Sequence, residues 1–404
     1  MLATALLVAG LSVLAVNLRA AIASLPPVFP ELAAALHLSA ATLALLAATP
    51  VLCFGLCSGV AAPLSRWCGE ERVLGAALVL LAAGLLLRGA LPGSMLFPGT
   101  VLAGAAVALM NVLLPSLVKR RSPDRAGLLI GSYLMLLSAG AVLASLVAVP
   151  VFRAAGSPSE AVRLTLGMWA LPAAIAALVW LPQLRYRTLP PAEQAGAGGV
   201  LAMTRYPLAW QVMAFMGLQS LLYYAALSWF PTLLRDRGIS AAHAGDLLAL
   251  MNFGNAITAM LLPVLAHRAA DQRWLAAVST LATGGGLAGA AFAPAGSAAA
   301  WMLLLGLGQG ATLGLAIFFT MARAPDPATA ASLSAFAQGA GYLVASLGPL
   351  LLGFLHAATG GWTIPVVVLL VLAVAQVISG WLAGRALTVP PPVLAGPQPV
   401  ASAG

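Results

Sequence analysis

Hydrophobic and polar positions in this chain fall into long blocks. Apolar runs of about 20 residues, each enough to cross the hydrocarbon layer as a helix, occur near 3–24, 41–62, 73–91, 96–118, 126–149, 162–182, 208–230, 247–266, 275–293, 298–321, 333–355 and 364–383. The pattern predicts an all-α integral membrane protein with twelve transmembrane helices. Glycine and proline interrupt several runs, which membrane helices tolerate because neighbouring helices re-satisfy the freed backbone groups. The longest internal polar stretch, "QLRYRTLPPAEQAGAGGVLAMTRYP", follows the sixth run. It divides the chain into an N-terminal six-helix bundle (1–182), a cytoplasmic linker (183–207) and a C-terminal six-helix bundle (208–387). The tail, 388–404, reads "TVPPPVLAGPQPVASAG". It has no hydrophobic period and is predicted to be a disordered cytoplasmic segment.

Composition agrees with the block pattern. Of 404 residues 62% are hydrophobic and 7% charged, whereas a soluble domain carries roughly 25% charged residues. The first run lacks an A-x-A-like cleavage site and reads as a permanent span. A net charge of +9 invites a nucleic-acid reading, but the charges sit mostly in short loops between apolar runs, so that partner is excluded. Placing the N-terminus inside puts thirteen arginines and lysines in cytoplasmic segments and four (Arg153, Arg163, Arg235 and Arg237) outside, with Arg19 and Arg88 inside spans. This bias predicts cytoplasmic termini and, for a bacterial chain, the inner membrane. Three cysteines, Cys53, Cys57 and Cys68, make no disulfide framework. No Cys/His cluster has metal-ligand spacing, and no cofactor motif is present.

The halves repeat one another. Shifted by 201 positions, "FPELAAALHLSAA" from Phe29 lies over "FPTLLRDRGISAA" from Phe230, and "GEERVL" from Gly69 over "ADQRWL" from Ala270. One position further out of step, "RSPDRA" from Arg121 meets "RAPDPA" from Arg323. Six spans per copy is an even number, so both copies enter the membrane from the same side. Parallel repeats pack about an axis along the membrane normal and hold their site between them at mid-depth.

Several stretches resemble a known family: "NLRAAIASLPPVFPEL" in span 1, "TPVLCFGL" in span 2, "NVLLPSLVKRRSPDRAGLLIGSY" through spans 4 and 5, "LAWQVMAFMGLQSLLYYAALSWFPTLLRDRGIS" in span 7, "LLLGLGQGATLGLA" in span 10 and "LSAFAQGAGYLVASLGPLL" in span 11. With these the chain is similar to the major facilitator superfamily, and within it to the cyanate and nitroimidazole transporter branch. The resemblance implies the two-bundle facilitator fold, rocker-switch alternating access, and a first span that lines the central cavity. One departure stands in the loop between spans 2 and 3. Where the superfamily commonly carries an acid in a D-R-x-G-R-R pattern, this chain has "LSRWCGEERVL" with Arg66, which implies an inner gate without the usual charge relay.

Polar residues within spans are the candidates for function, since a mid-bilayer charge costs at least about 2.5–3.5 kcal/mol. Arg19 has two readings. In one it snorkels to the outer headgroups. In the other it contacts an anionic substrate, because the ten acidic residues all fall in loops, tails or span ends and leave it no mid-span carboxylate. The repeat places Ser220 across the axis from Arg19. Gln219 and Tyr223 share one face of span 7, and Tyr224 the next; tyrosines there also suit interfacial anchoring. Gln309 lies near mid-depth in span 10, either facing the site or bonding a neighbouring helix. Asn111 in span 4 has the same ambiguity. Asn252 and Asn255 in span 8, and Gln338 and Tyr342 in span 11, complete the set, with Ser138 weaker.

One cation among neutral donors and acceptors suits a small anion or polar heterocycle. The expected function is secondary or facilitative transport of such a solute by a monomer in contact with lipid. A proton is a possible coupling ion, although the four histidines lie at span ends or loops. The alternatives are a proton-coupled exporter of toxic compounds and a membrane-embedded enzyme. The enzyme reading lacks paired carboxylates, H-E-x-x-H and a phosphate-binding loop.

Overall fold

The computed structural model describes residues 2–122, 125–189 and 197–390. Twelve helical segments among them are long and apolar enough to cross a membrane: Gly10–Leu36, Ala40–Ala61, Glu70–Ala90, Pro92–Arg121, Gly131–Ala154, Pro158–Arg185, Pro207–Asp236, Ala241–Arg268, Arg273–Phe292, Ala295–Ala322, Pro327–Thr359 and Thr363–Ala383. They are spans 1 to 12 below. Several helices outrun their apolar core. Span 11, 33 residues or about nine turns long, begins at an Asp326 cap, whose carboxylate accepts from the Thr329 amide at 2.8 Å. Two spans are interrupted. The first helix, Leu2–Ala23, gives way to a tight turn at Pro26–Val28 and resumes as Phe29–Leu36, because Pro26 and Pro27 cannot donate to the ladder. Span 6 stops at Gly167 and restarts at Ala170.

The repeat is visible as paired packing. In the first half span 1 packs on spans 5 and 6, span 2 on span 4, and span 3 on spans 4 and 6. In the second half span 7 packs on spans 11 and 12, span 8 on span 10, and span 9 on spans 10 and 12. The halves meet through span 2 against span 11 and span 5 against span 8, contacts that exchange under the two-fold operation. Small residues allow the close crossings within each half. A Cβ on Gly140 would strike the Val16 carbonyl, and one on Gly310 the Asn255 carbonyl.

Call the end where span 1 begins the terminal face and the other the distal face. At the distal face the halves are in contact beneath an open groove of about 270 Å³ lined by Ala33, Leu38, Thr232 and His356. Arg235 pairs with Glu31 at 2.7 Å, and Phe29 meets Trp229 edge-on with centroids 6.0 Å apart. Between them an apolar plug from Ile22, Leu25, Pro26, Phe29, Leu46, Pro50, Tyr224 and Leu227 encloses only about 10 Å³, room for about one water. Toward the terminal face the halves part. Gly55 of span 2 packs on Leu343 of span 11, yet one turn further Gly59 and, on the facing helix, Gly339 have nothing within 4 Å. These positions lie on the same helical faces as the contacting pair, so the cleft opens there.

At the terminal face the loop between spans 2 and 3 departs from its expected character. Glu70 and Glu71 are buried at the start of span 3. Glu70 pairs with Arg120 at 3.0 Å and Glu71 with Arg121 at 3.5 Å; Glu71 also accepts from the Thr188 amide and hydroxyl. Acids are therefore supplied to this junction, four and five residues past Arg66. The second half keeps the geometry with fewer charges. Arg323 donates to Gln272 and to the Ala383 and Gly384 carbonyls, and the Val389 amide donates to the Arg323 carbonyl at 2.7 Å. The predicted linker contributes a short helix, Ala197–Ala202, within the described residues. Residues 190–196 of the linker and 391–404 of the tail lie outside them.

Candidate functional site

Span 1 carries Arg19 on the last full turn before its interruption. The guanidinium turns inward, not along the snorkelling direction. Its Nη1 donates to the Tyr223 hydroxyl at 2.8 Å across the interface between halves, with the guanidinium carbon 5.0 Å from the Tyr223 ring centre. Tyr223 in turn donates to Asn252 Oδ1 at 2.9 Å, and Asn252 Nδ2 donates to the Leu248 carbonyl of its own helix at 3.1 Å. Spans 1, 7 and 8 are thereby joined by one chain of hydrogen bonds. The repeat register pointed to Ser220 as the residue opposite Arg19. The structure brings Tyr223, three residues further along the helix, because a long arginine reaches past the backbone position that symmetry relates to its own. Ser220 instead accepts from Gln219 Nε2 at 2.6 Å.

Aromatic rings wall this group. Tyr224 meets Tyr223 edge-on at 5.1 Å and Phe54 of span 2 at 6.2 Å; Phe54 meets Tyr342 of span 11 at 5.5 Å. The phenols of Tyr224, Tyr342 and Tyr133 lie within electrostatic reach of Arg19. The remaining polar candidates spread outward. Gln309, fully buried, donates to the Gln219 carbonyl at 3.2 Å and accepts from the Tyr223 amide at 3.3 Å when its amide is turned to satisfy both atoms. It braces the turn of span 7 that carries the tyrosines, the neighbouring-helix role that the sequence left open. Asn111 accepts from Tyr133 at 3.1 Å. Gln338 donates to Ser334 of its own helix at 2.8 Å. Asn255 is buried beside Gly310, and Ser138 bonds back to the Leu134 carbonyl. Phe54 and Tyr133 were missed from sequence. Phe54 carries no polarity to mark it in an apolar run, while Tyr133 was legible as a tyrosine near the start of span 5.

Arg19 is half-buried and takes part in none of the ion pairs among the described residues; those join Glu31, Glu70, Glu71 and Asp271 to other arginines and Asp246 to His243. Among the described residues no group of His, Cys, Asp and Glu is arranged to hold a metal. What the group around Arg19 offers is a cation with donors to spare, phenol hydroxyls, the buried Asn252 and an aromatic wall. Such a set is chemically suited to charge and planarity, and among the described residues it contains no nucleophile–base pair.

Twelve spans in two parallel copies, in contact at one face and parted at the other, with polar side chains between them, have the architecture of a membrane transporter. Residues 6–349 match the Major Facilitator Superfamily, and the chain belongs to that family. It is 38% identical over 379 residues to the 2-nitroimidazole transporter of Escherichia coli (strain K12), covering 94% of this chain and 95% of that one. It is 30% identical to the cyanate transport protein CynX of the same organism, over 87% of this chain and 90% of that one. In fold it superposes on the inward-facing, unoccupied bacterial homolog of the lysosomal transporter Spinster with a TM-score of 0.76, at 17% identity, over 94% and 97% of the two chains. The protein is thus a transporter of small solutes and not an enzyme.

Proposed function

We propose that this protein moves a small anion or polar planar heterocycle across the bacterial inner membrane by rocker-switch exchange between the two bundles, 1–182 and 208–387, with 183–207 as the cytoplasmic linker. The observation that carries the reading is the half-buried Arg19 without a carboxylate, bonded through Tyr223 to Asn252 of the other half. A solute with a negative or acceptor-rich edge satisfies the guanidinium by charge-assisted hydrogen bonds, and its plane packs against the rings of Tyr224, Tyr342 and Phe54. Because Arg19 and Tyr223 belong to different halves, a bound solute is gripped from both sides, as exchange between two openings requires. The relatives named for cyanate and for 2-nitroimidazole span the same chemistry, a small anion and a planar heterocycle.

The arginine bias assigns the terminal face, and so the open cleft, to the cytoplasm. Gln219, Gln309, Asn111, Asn255 and Gln338 shape the site from around the Arg19–Tyr223–Asn252 core. The transporter acts as a monomer in lipid. With the acidic residues at span ends, movement proceeds as facilitated exchange or through the solute's own protonation. The test is counterflow in proteoliposomes with labelled cyanate and labelled 2-nitroimidazole, at about pH 6 and about pH 8, which bracket histidine titration. Exchange of at least one solute, saturable and competed by the other, is the expected result. Accumulation strictly dependent on an imposed proton gradient, with no exchange in its absence, overturns the facilitated reading.

A further inference from the structure

Arg88 in span 3 is among the largest fully buried side chains in the molecule, 1% exposed, and pairs with none of the carboxylates in the ion pairs described above. A buried cation without an anion is retained at a cost, so its partners carry the argument. Its Nε donates to the Leu166 carbonyl at 3.0 Å and its Nη2 to the Ala21 carbonyl at 3.1 Å. Both carbonyls belong to interrupted helices. The Leu25 amide, which would continue the ladder to Ala21, turns instead to Ile22 at 3.4 Å as the chain enters Pro26–Pro27. Leu166 precedes the stop of span 6 at Gly167. Helix C-terminal carbonyls carry the negative end of the dipole and favour a cation; with Arg88 this buried, water is not on hand to replace it. Span 3 comes close enough because Gly89 packs directly on Gly167.

The second half supplies an internal control. The repeat equivalent of Arg88 is Gly289, and the ring of Trp301 from the next helix occupies the space where a Gly289 side chain would lie. In the first half the sizes are exchanged: Arg88 faces Gly99, whose Cβ would fall 2.8 Å from that of Arg88. Spans 7 and 12, the counterparts of the interrupted spans 1 and 6, are continuous helices, Pro207–Asp236 and Thr363–Ala383. An apolar ring therefore fills this volume where the helices are whole, and a guanidinium fills it where they are broken.

We propose that Arg88 is a positioning residue, a cross-brace that satisfies both broken helices and so fixes the end of span 1, with Arg19 two residues before the braced carbonyl and the distal plug just beyond it. The link to solute binding rests on the proposed role of Arg19; the brace itself does not. Hydrogen exchange on the protein in lipid nanodiscs tests the brace without any solute. In Arg88→Met, amides of residues 20–25, 28 and 166–170 should exchange on the order of tenfold faster, with spans 4 and 9 unchanged, and Arg88→Lys should recover part of the protection. The double variant Arg88→Gly with Gly99→Trp copies the packing of the second half; it should restore thermal stability but leave those two segments fast. Unchanged exchange in residues 20–25 and 28, uniform loosening of every span, or full restoration by the packing swap overturns the brace. Should neither Arg88→Met nor the swap fold, Arg88→Lys carries the same exchange test.

Transport then tests the link to Arg19. Arg88→Met should raise KM for a transported solute about tenfold with little change in maximal rate, and add nothing in an Arg19→Gln background. Faster local exchange with an unaltered KM overturns the positioning role. A failure of the Arg19 reading itself is read separately, from Arg19→Gln alone.

Discussion

Tyr223 accepts a hydrogen bond from Arg19 and gives its own proton to Asn252, so one hydroxyl holds the two halves in register at the site. Removing it in Tyr223→Phe keeps the ring against Tyr224 and Arg19 while deleting both bonds. A hydrogen bond to a charged group is worth about 1.5–3 kcal/mol, and 1.4 kcal/mol is about tenfold in affinity. Tyr223→Phe should therefore raise KM at least about tenfold with normal expression, as read from initial counterflow rates. A KM within about twofold of wild type would remove Tyr223 from the site. At this scale the sequence was most readable where polarity contrasts with its surroundings. Arg19, Tyr223 and Asn252 stood out as polar groups in apolar runs, and the structure joins them. Gln309 stood out equally, yet its amide serves the span 7 backbone, since a buried amide finds whichever partners sit within reach. Phe54 gave no signal because its part is that of a wall. The identity of Arg19's partner was misjudged by three residues, as a repeat register relates backbone positions and not the tips of long side chains.

Among the helices, hydropathy located all twelve spans but not their ends, because it reports the hydrocarbon layer and not the capping chemistry that stops a helix. Span 11 starts at its Asp326 cap, six residues before the apolar run that revealed it. The interruption of span 1 was written in Pro26–Pro27; that of span 6 rests on tertiary packing at Gly167 and left no comparable mark. Glu70 and Glu71 illustrate the same limit. They read as loop acids, and burial against Arg120 and Arg121 became visible only once span 4 was placed beside them. Glycines divide into two kinds that sequence cannot separate. Gly140 lies against the Val16 carbonyl where spans 1 and 5 cross, whereas Gly59 faces open space. Gly140→Val should destabilise the protein by about 1–3 kcal/mol through overpacking. Gly59→Ala should be neutral or stabilising by about 0.5–1 kcal/mol through helix propensity. Thermal unfolding of both in detergent distinguishes them; equal effects would contradict the crossing geometry.

For the whole molecule, the contacts at the distal face and the parting at the terminal face leave Arg19 on the terminal side of a plug that has room for about one water. The proposed exchange mechanism calls for the opposite arrangement as well, in which the Glu31–Arg235 pair and the Phe29–Trp229 contact part and the helix faces at Gly59 and Gly339 come together. In the proposed reading the site lies between these two closures, and Arg19 is the group on which selection of the solute depends. Exchange counterflow in proteoliposomes loaded with unlabelled solute, comparing wild type, Arg19→Lys and Arg19→Gln, tests this most directly. Arg19→Gln should reduce exchange of an anionic solute by at least about a hundredfold, consistent with the loss of a desolvated charge pair worth several kcal/mol. Its thermal stability should be equal or higher, because an unfavourable membrane charge is gone. Arg19→Lys should recover only part of the rate, keeping the charge without the planar fork. Near-normal exchange in both variants, with wild-type stability, would contradict the account.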